Sequence, residues 1–413
     1  MTQAPTPPEP RSIDHAERPL EGLRVLELGS LIAGPFATRL LAEFGGEVIK
    51  IETPGEGDPL RTWRYVDRQT GMSIWWSLQS RNKKLITLNL KHPEGLALAK
   101  CLVAKCDILV ENFRPGTLEK LGLGPEVLHE LNSRLILVRV SGFGQSGPSR
   151  DRPGFGSVGE AMGGIRYITG ESGQPPVRPN ISLGDSLAAL YAVIGALMAL
   201  RARDRQGKGQ VVDVALYEAV FSLLESTLPE YDVAGIIRER AGASLPGIAP
   251  SNTYRCRDGS YIVIGGNSDA IFKRLMRLLG RPELAEEPRY RSNKERAEHA
   301  GELDALIEGW TEQYPLREVL RLLEEARIPA GSIYSIVDIV NDEQYRAREM
   351  ILPAQIEGIG TVAMPGLVPK LSGTPGEIEW YGGALGTHNE EVYCGLLGLS
   401  SEEMERLVKQ GVV

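Results

Sequence analysis

Residues 23–51 are LRVLELGSLIAGPFATRLLAEFGGEVIKI. The apolar run 23–28 predicts a buried strand, and Pro35, which suits the first helical position, predicts a helix that continues to about Phe44. A Gly-Gly pair ends this helix, and residues 47–51 then predict a second strand. Two strands joined by a helix are typical of a parallel pair.

The same alternation continues along the chain. Runs rich in Val, Ile and Leu at 107–110 and 135–140 predict two more strands, and residues 93–104 predict a helix before the first of them. The pattern indicates an α/β fold with a Rossmann-like, doubly wound parallel sheet and helices on both faces. Ligands of such sheets bind beyond the carboxyl ends of the strands. The corresponding loops here are 29–35, 112–116 and 141–148.

A long apolar run follows a carboxylate in the middle of the chain. Residues 187–200 carry no charge and predict a core helix packed on most sides; the run is shorter than the roughly 20 residues of a membrane span. Asp185 lies in the preceding segment ISLGDS, where the positive end of the helix dipole favours an anion. Two interpretations stay open. Asp185 is a helix cap, or it is a nucleophile that attacks an activated acyl group.

Changes in composition predict the domain organisation. Residues 1–19 are rich in proline and lack the apolar core of a secretory signal, which predicts a flexible lead-in. The remainder divides into a large domain (first part, 20–225), a linker (226–250), a smaller α+β domain (251–330) and a return to the large domain (331–413).

The charge balance and the cysteines exclude several classes of protein. The chain has 46 basic and 54 acidic residues, which argues against a general nucleic-acid binder. Its four cysteines form no CxxC pair and its five histidines show no metal-ligand spacing, so we expect neither a metal site nor a disulfide framework. These features predict a cytoplasmic protein without a membrane anchor.

A dinucleotide-binding enzyme is a weaker alternative. Glu52 follows the second strand, where an acidic residue can hold a ribose, but the turn after Gly29 lacks the G-x-G-x-x-G spacing. The G-x-S-x-G elbow of a serine hydrolase is also missing from the sequence.

Basic residues gather in two places, and Phe113 lies beside the second. One interpretation is a solvated face, and the other is a phosphate site for a nucleotide-like carrier. The residues are Arg81, Lys83, Lys84 and Lys91, followed by Arg114 and Lys120.

Six segments in this order resemble class III CoA-transferases, the family of formyl-CoA transferase, carnitine and bile-acid CoA-transferases and α-methylacyl-CoA racemase. The resemblance covers the chain from about Leu20 to its end. The segments are 20–52, SRNKKLITLNLKHPEG (80–95), VENFRPGTLEKLGLG (110–124), GFGQSGPSRDRPGF (142–155), LGDSLAALYAVIGALMAL (183–200) and 385–407.

The resemblance implies that Asp185 is the nucleophile. In the family this aspartate forms acyl anhydrides and an aspartyl-CoA thioester, with a CoA thioester as co-substrate and no permanently bound cofactor. Backbone N–H groups near Gly184 are candidates for the oxyanion site.

CoA contacts are likewise implied by position. They fall in the turns that follow the predicted strands and in the segment before the apolar run. The twelve residues are Ile32, Ala33, Thr53, Leu88, Asn89, Lys91, Asn112, Phe113, Arg114, Lys120, Phe155 and Gly184.

Departures from the family pattern restrict the substrate. Ile32 stands where formyl-CoA transferase has a glutamine, and Thr53 stands where it has an arginine. Pro153 and Gly156 replace a lysine and a glutamate. These differences argue against formyl-CoA and oxalate as substrates. Residues 146–161 contain no histidine, which disfavours the racemase branch.

The amino-acid sequence of these segments resembles in particular that of the transferases that use succinyl-CoA and small dicarboxylic acids. A distal carboxylate requires a cation, for which Arg61, Arg64 and Arg152 are candidates. The resemblance also implies a ring-shaped subunit in an interlocked homodimer. An epimerase or racemase on the same fold and a non-catalytic acyl-CoA-binding protein remain alternatives.

Overall fold

A computed structural model describes residues 18–413, so the predicted lead-in 1–19 lies almost entirely outside the described residues. The central sheet has six parallel strands in the order β3-β2-β1-β4-β5-β6, as a Rossmann-like sheet requires. The predicted doubly wound α/β fold is therefore confirmed. The strands are β1 (Arg24–Glu27), β2 (Glu47–Glu52), β3 (Lys83–Thr87), β4 (Ile108–Glu111), β5 (Ile136–Ser141) and β6 (Val211–Ala215).

Helices cover both faces of this sheet. The helices of the described chain, in both compact units, are in chain order α1 (Ala33–Glu43), α2 (Ile74–Gln79), α3 (Pro93–Val103), α4 (Thr117–Lys120), α5 (Pro125–Leu131), α6 (Gly156–Met162), α7 (Ile165–Ile168), α8 (Leu183–Gln206), α9 (Leu216–Phe221), α10 (Thr227–Ala234), α11 (Asp269–Leu278), α12 (Asn293–Glu298), α13 (Ala300–Thr311), α14 (Leu316–Glu325), α15 (Ile336–Asn341), α16 (Glu343–Ala347) and α17 (Ser401–Lys409). Helices α1 and α8 contribute to the core on one face, whereas α3, α5 and α17 contribute to the core on the other.

The remaining strands form two small antiparallel sheets. One contains β7 (Ser251–Arg255), β8 (Tyr261–Gly265) and β9 (Ala330–Ser332), and the other pairs β10 (Ile351–Ile356) with β11 (Gly360–Pro365). Short 3₁₀ helices occupy Pro59–Thr62, Pro282–Glu286 and Pro288–Tyr290, and a π-helix occupies Glu391–Leu396. Helix α17 begins with a capping box between Ser400 and Glu403.

The chain divides into two compact units. The larger contains the chain up to Gly163, Pro179–Leu224 and Arg346–Val413, and the smaller contains Gly164–Arg178 and Glu225–Tyr345. The predicted linker 226–250 is thus part of the smaller unit and contains α10. The chain also cannot return to the larger unit at residue 331, because β9 pairs with β8 in the sheet of the smaller unit.

Helix α8 differs from the predicted core helix packed on most sides. One face of α8 packs against α1 and the sheet through its alanines, from Ala188 to Ala199, and through Leu200, with Leu187, Tyr191 and Val193 partly buried beside them. The larger side chains of the opposite face are exposed, and Met198 is 68% exposed. The helix matches a membrane span in length and composition alone, but one of its faces is packed as a core helix is. Small residues allow close approach to the sheet, which the hydrophobicity of the run did not reveal.

A buried ion network connects the first three strands. The Glu27 carboxylate accepts from Lys50 Nζ and from Lys83 Nζ, each at 2.8 Å, and all three side chains are at most 1% exposed. Burial alone would raise the pKa of Glu27, but the two ammonium groups lower it. Lys83 also donates to the carbonyl oxygen of Pro35 at the start of α1. The network therefore fixes β1, β2, β3 and α1 to one another.

We predict that Glu27→Gln lowers the free energy of unfolding by about 3–5 kcal/mol, because it leaves the buried Lys83 ammonium without its anion and Lys50 with Asp58 alone. Urea denaturation followed by circular dichroism measures this change. Glu325→Gln is the matched control, since Glu325 pairs with Arg321 at the surface and its loss should leave stability almost unchanged. Equal effects of the two substitutions would contradict the prediction.

Candidate active site

A cleft of about 650 Å³ lies at the carboxyl ends of the first four strands. Leu28, Thr53, Leu88 and Phe113, which follow β1, β2, β3 and β4, all line it. The strand order reverses between β1 and β4, and ligands of open parallel sheets bind at such a switch point. Two of the three predicted loops, 29–35 and 112–116, therefore meet here, whereas no residue of 141–148 lines the cleft.

The predicted CoA contacts fall into three groups. Thr53, Leu88, Asn89, Lys91 and Phe113 line the cleft. Ile32 and Ala33 are buried at the start of α1, and Asn112 supports the adjoining turn. The other four lie outside the lining of the cleft: Arg114 and Lys120, which are exposed, and Phe155 and Gly184, which belong to the surroundings of Asp185.

The turn between β1 and α1 is bonded to the turn after β4. The Asn112 side chain accepts from the Ser30 amide and donates to the Ser30 carbonyl oxygen, both at 2.9 Å. Glu111 accepts from the amide of Phe113 at 2.7 Å and is itself held by Arg139 at 2.6 Å. These bonds order the two walls of the cleft that meet at the switch point.

The first predicted group of basic residues does not form a cluster in the structure, and the prediction is wrong for three of its four members. Arg81 is buried beside Glu43, Lys83 is buried beside Glu27, and Lys84 bridges Glu47 and Glu391. Only Lys91 of this group lines the cleft, where it is exposed. The sequence did not show that this run is strand β3, whose charged side chains find acidic partners on neighbouring elements.

Asp185 lies at the same edge of the sheet. Helix α8 joins two parallel strands, β5 and β6, so its first turn lies at the carboxyl end of the sheet. Ser182 occupies the N-cap position of α8 and makes no side-chain cap bond, and Asp185 is the third helical residue. The interpretation of Asp185 as the N-cap is therefore wrong, and its half-buried carboxylate is held in the first turn.

Gly156 brings the backbone of α6 against this carboxylate. A Cβ atom added at Gly156 would lie 2.1 Å from Asp185 Oδ2, far inside van der Waals contact. Gly159 and the C-cap residue Gly163 continue the same face, and a Cβ atom added at them would lie 2.8 Å from Leu216 Cβ and 2.6 Å from Val220 Cβ. The sequence placed Gly156 among departures from the family pattern, but the glycine spacing was a signal of close helix packing that we missed.

The Gly184 amide is already engaged in a hydrogen bond. It donates to Oε1 of Glu160 at 3.3 Å, and Glu160 is fully buried. The predicted role of this amide in an oxyanion site is therefore not available in this conformation. Glu160 instead connects α6 to the turn that presents Asp185.

The three arginine candidates have different surroundings. Arg61 is bound bidentately to Glu52, so its charge is already neutralised. The Arg64 guanidinium lies 5.6 Å from the Trp75 ring. Arg152 is exposed, lies 5.1 Å from the Phe143 ring and has no carboxylate partner among residues 18–413.

Within residues 18–413, no group of three His, Cys, Asp or Glu side chains is arranged to hold a metal ion. The cleft does contain charged residues that the sequence analysis did not select, namely Lys50, Glu56 and Asp58. They come from β2 and the loop that follows it, a segment in which no motif distinguished them.

Known proteins resemble almost the whole length of this chain. Residues 20–389 match the CoA-transferase family III. The chain is 52% identical to succinyl-CoA–D-citramalate CoA-transferase of Chloroflexus aurantiacus, over 96% of this chain and 98% of that protein. It is 42% identical to the beta subunit of succinyl-CoA–L-malate CoA-transferase of the same organism, over 96% and 98%.

A solved structure shares the fold. A CAIB/BAIF family protein from Brucella suis superposes with a TM-score of 0.81 at 33% identity, covering 92% of this chain and all of that one. The resemblance stated from the sequence motifs is confirmed by these matches.

Proposed function

Because the chain belongs to CoA-transferase family III, we propose that it moves CoA from an acyl-CoA donor, succinyl-CoA, to a small dicarboxylic acid. The names of the similar proteins from Chloroflexus aurantiacus support this choice of substrates. The single observation that carries the proposal is the Asp185 carboxylate packed against the Gly156 backbone at the edge of the sheet that holds the cleft.

The first half of the reaction transfers CoA to the protein. The Asp185 carboxylate attacks the thioester carbonyl of the donor, the C–S bond breaks, and the CoA thiolate leaves with the electron pair. The thiolate then attacks the aspartyl carbonyl of the resulting anhydride. This releases the donor acid as its carboxylate and leaves an aspartyl-CoA thioester.

The second half repeats these steps with the acceptor. The acceptor carboxylate attacks the aspartyl thioester and expels the CoA thiolate, which attacks the acceptor carbonyl of the new anhydride. The new acyl-CoA forms, and Asp185 regains its carboxylate. One thioester and one carboxylate are exchanged for the same pair of groups, so the reaction requires neither an oxidant nor ATP.

The packing around Asp185 and the lining of the cleft each suit this chemistry. The Gly156 backbone excludes water from one side of the carboxylate, and exclusion of water protects an anhydride from hydrolysis. Lys91 and Phe113, on the wall of the cleft, offer a cation for a CoA phosphate and a ring for an apolar part of the carrier.

Asp185→Asn should abolish CoA transfer while thermal stability and CoA binding persist, because the amide is a far weaker nucleophile.

Gly156→Ala should lower kcat at least about 100-fold, since its methyl group forces the carboxylate out of position. Gly301→Ala is the control, because Gly301 also starts a helix but has open space around it. Transfer is measured by following succinyl-CoA consumption with citramalate and malate as acceptors.

Trapping provides the direct readout of the same step. Incubation with succinyl-CoA followed by hydroxylamine should place a hydroxamate on the peptide containing Asp185, and Asp185→Asn should show none. An enzyme that transfers CoA at the normal rate after this substitution would disprove the proposed nucleophile. Deuterium incorporation at the α-carbon without an acceptor acid would instead indicate an epimerase.

For the distal carboxylate of the substrate we favour Arg152. Its guanidinium lies on Phe143, whose ring is the neighbour of Gly154, two residues before Gly156. Arg61 is excluded by its bond to Glu52. Arg152 is thus an exposed, unneutralised guanidinium four positions before Gly156, whose backbone packs against Asp185, and such a group is suited to a second carboxylate.

Arg152→Gln should lower kcat/KM for succinyl-CoA by about 10- to 100-fold, the loss expected for one charge-assisted hydrogen bond. Butyryl-CoA, which lacks the distal carboxylate, should be affected little. Arg150→Gln is the matched control, because Arg150 is equally exposed but pairs with Asp151. Equal losses with both donors, or a selective loss in Arg64→Gln instead, would contradict the assignment.

The outer face of α8 supports assembly as a homodimer. Leu190, Ile194, Leu197 and Met198 are 42–68% exposed on this helix, and an apolar groove of about 410 Å³ runs between it, β6 and α9. Exposed apolar surface of this extent is typical of protein–protein interfaces. We favour a second copy of the chain as its partner.

Light scattering coupled to gel filtration should therefore give twice the mass of one chain. Met198→Glu should convert the protein to monomers, because it introduces a charge into the apolar face. Val408→Glu, at a comparably exposed position on α17, should leave the mass unchanged. A monomeric wild-type protein would refute the dimer.

A further inference from the structure

The turn between β1 and α1 contains a non-glycine residue in a conformation that favours glycine. Leu31 has φ +65°, in the left-handed region that L side chains rarely adopt. Turns at this position in nucleotide-binding sheets commonly rely on glycines for such conformations. Here Gly29 is followed by Ser30 and Leu31, so some other interaction must keep the turn in shape.

Two charged side chains bind the backbone of this turn. Lys50 Nζ donates to the carbonyl oxygen of Gly29 at 2.8 Å. The Asp58 carboxylate accepts from the amide of Leu31, with distances of 3.1 and 3.2 Å to its two oxygens. The strained residue and the residue two positions before it are therefore both fixed by charge-assisted hydrogen bonds.

The same two side chains bind each other. Lys50 Nζ lies 2.8 Å from Asp58 Oδ2, and each side chain is only 1% exposed. Burial opposes the charge on Lys50, but the carboxylates of Glu27 and Asp58 raise its pKa. Although both residues border the cleft, their polar atoms are occupied within the protein. They influence a ligand through the turn and, because Asp58 also accepts from the amide of Leu60 at 2.9 Å, through the start of the 3₁₀ helix Pro59–Thr62.

We propose that the buried Lys50–Asp58 pair is a positioning device for CoA: it holds Leu31 in the left-handed conformation and thereby shapes the turn that borders the cleft. The pair performs the task that glycine performs in other turns of this kind. This inference rests on the proposed function, since it takes CoA as the ligand of the cleft.

The test compares two aspartate ion pairs at opposite edges of the sheet: that of Asp58, which is buried, and that of Asp107, which is partly buried. Asp58→Asn removes the anion below the turn. Asp107→Asn is the matched control, because Asp107 accepts from the amide of Arg24 and from Arg203 at the amino edge, away from the cleft. Isothermal titration calorimetry with CoA gives the affinity, and a thermal melt gives the stability.

Both variants should lower the melting temperature, but only Asp58→Asn should raise the Kd for CoA, by about tenfold. Lys50→Met should do the same and serves as the second variant if Asp58→Asn does not fold. A merely structural role would change the melting temperature in all of these variants and the Kd for CoA in none of them.

Leu31→Gly tests the physical reason directly. Glycine adopts positive φ without strain, so the double variant Leu31→Gly/Asp58→Asn should recover most of the lost CoA affinity. Leu31→Ala/Asp58→Asn removes the same side chain but keeps the strain, and should not recover it. Non-additivity of this kind is the signature of two residues acting on one feature.

The outcomes separate this inference from the proposed function. If the wild-type protein does not bind CoA, the proposed function fails. If the wild type binds CoA and Asp58→Asn binds it equally well, or if the glycine and alanine double variants behave alike, the positioning role of the pair is overturned and the proposed function stands.

Discussion

One carboxylate shared between two buried ammonium groups organises the larger unit. Glu27 on β1 binds Lys50 on β2 and Lys83 on β3, and each lysine extends the network to a backbone carbonyl in or beside the first turn. Buried charges are tolerated only when they are paired and hydrogen-bonded. The requirement to satisfy them therefore fixes the register of three strands, the start of α1 and the floor of the cleft together.

A second constraint, the absence of side chains, acts around Asp185. The carboxylate, the Gly184 amide and the buried Glu160 are brought together because Gly156 and Gly159 let α6 approach α8 and α9 at backbone distance. Charge pairing shapes one part of the edge, and glycine packing shapes the other. The cleft and the first turn of α8 both lie at the carboxyl edge because all six strands are parallel.

Sequence patterns predicted the helices and strands better than they predicted which residues and strands pair with one another. The run of β3 starts with two lysines and was interpreted as part of a basic surface, yet its charges are matched by Glu27, Glu47 and Glu391 from distant parts of the chain. The limit of the smaller unit was misplaced for a similar reason, since the pairing of β9 with β8 is a long-range contact. The local amino-acid composition does not reveal contacts between residues that are far apart in the sequence.

By itself, the sequence determined the parallel α/β architecture, the family and the carboxylate at the start of the apolar helix, because periodicity and motifs are local properties of the chain. Tertiary structure alone decided which arginines are neutralised, which face of α8 remains uncovered and how Leu31 is held at positive φ. These properties depend on which groups meet after folding, and burial and hydrogen bonding act between residues far apart in the sequence.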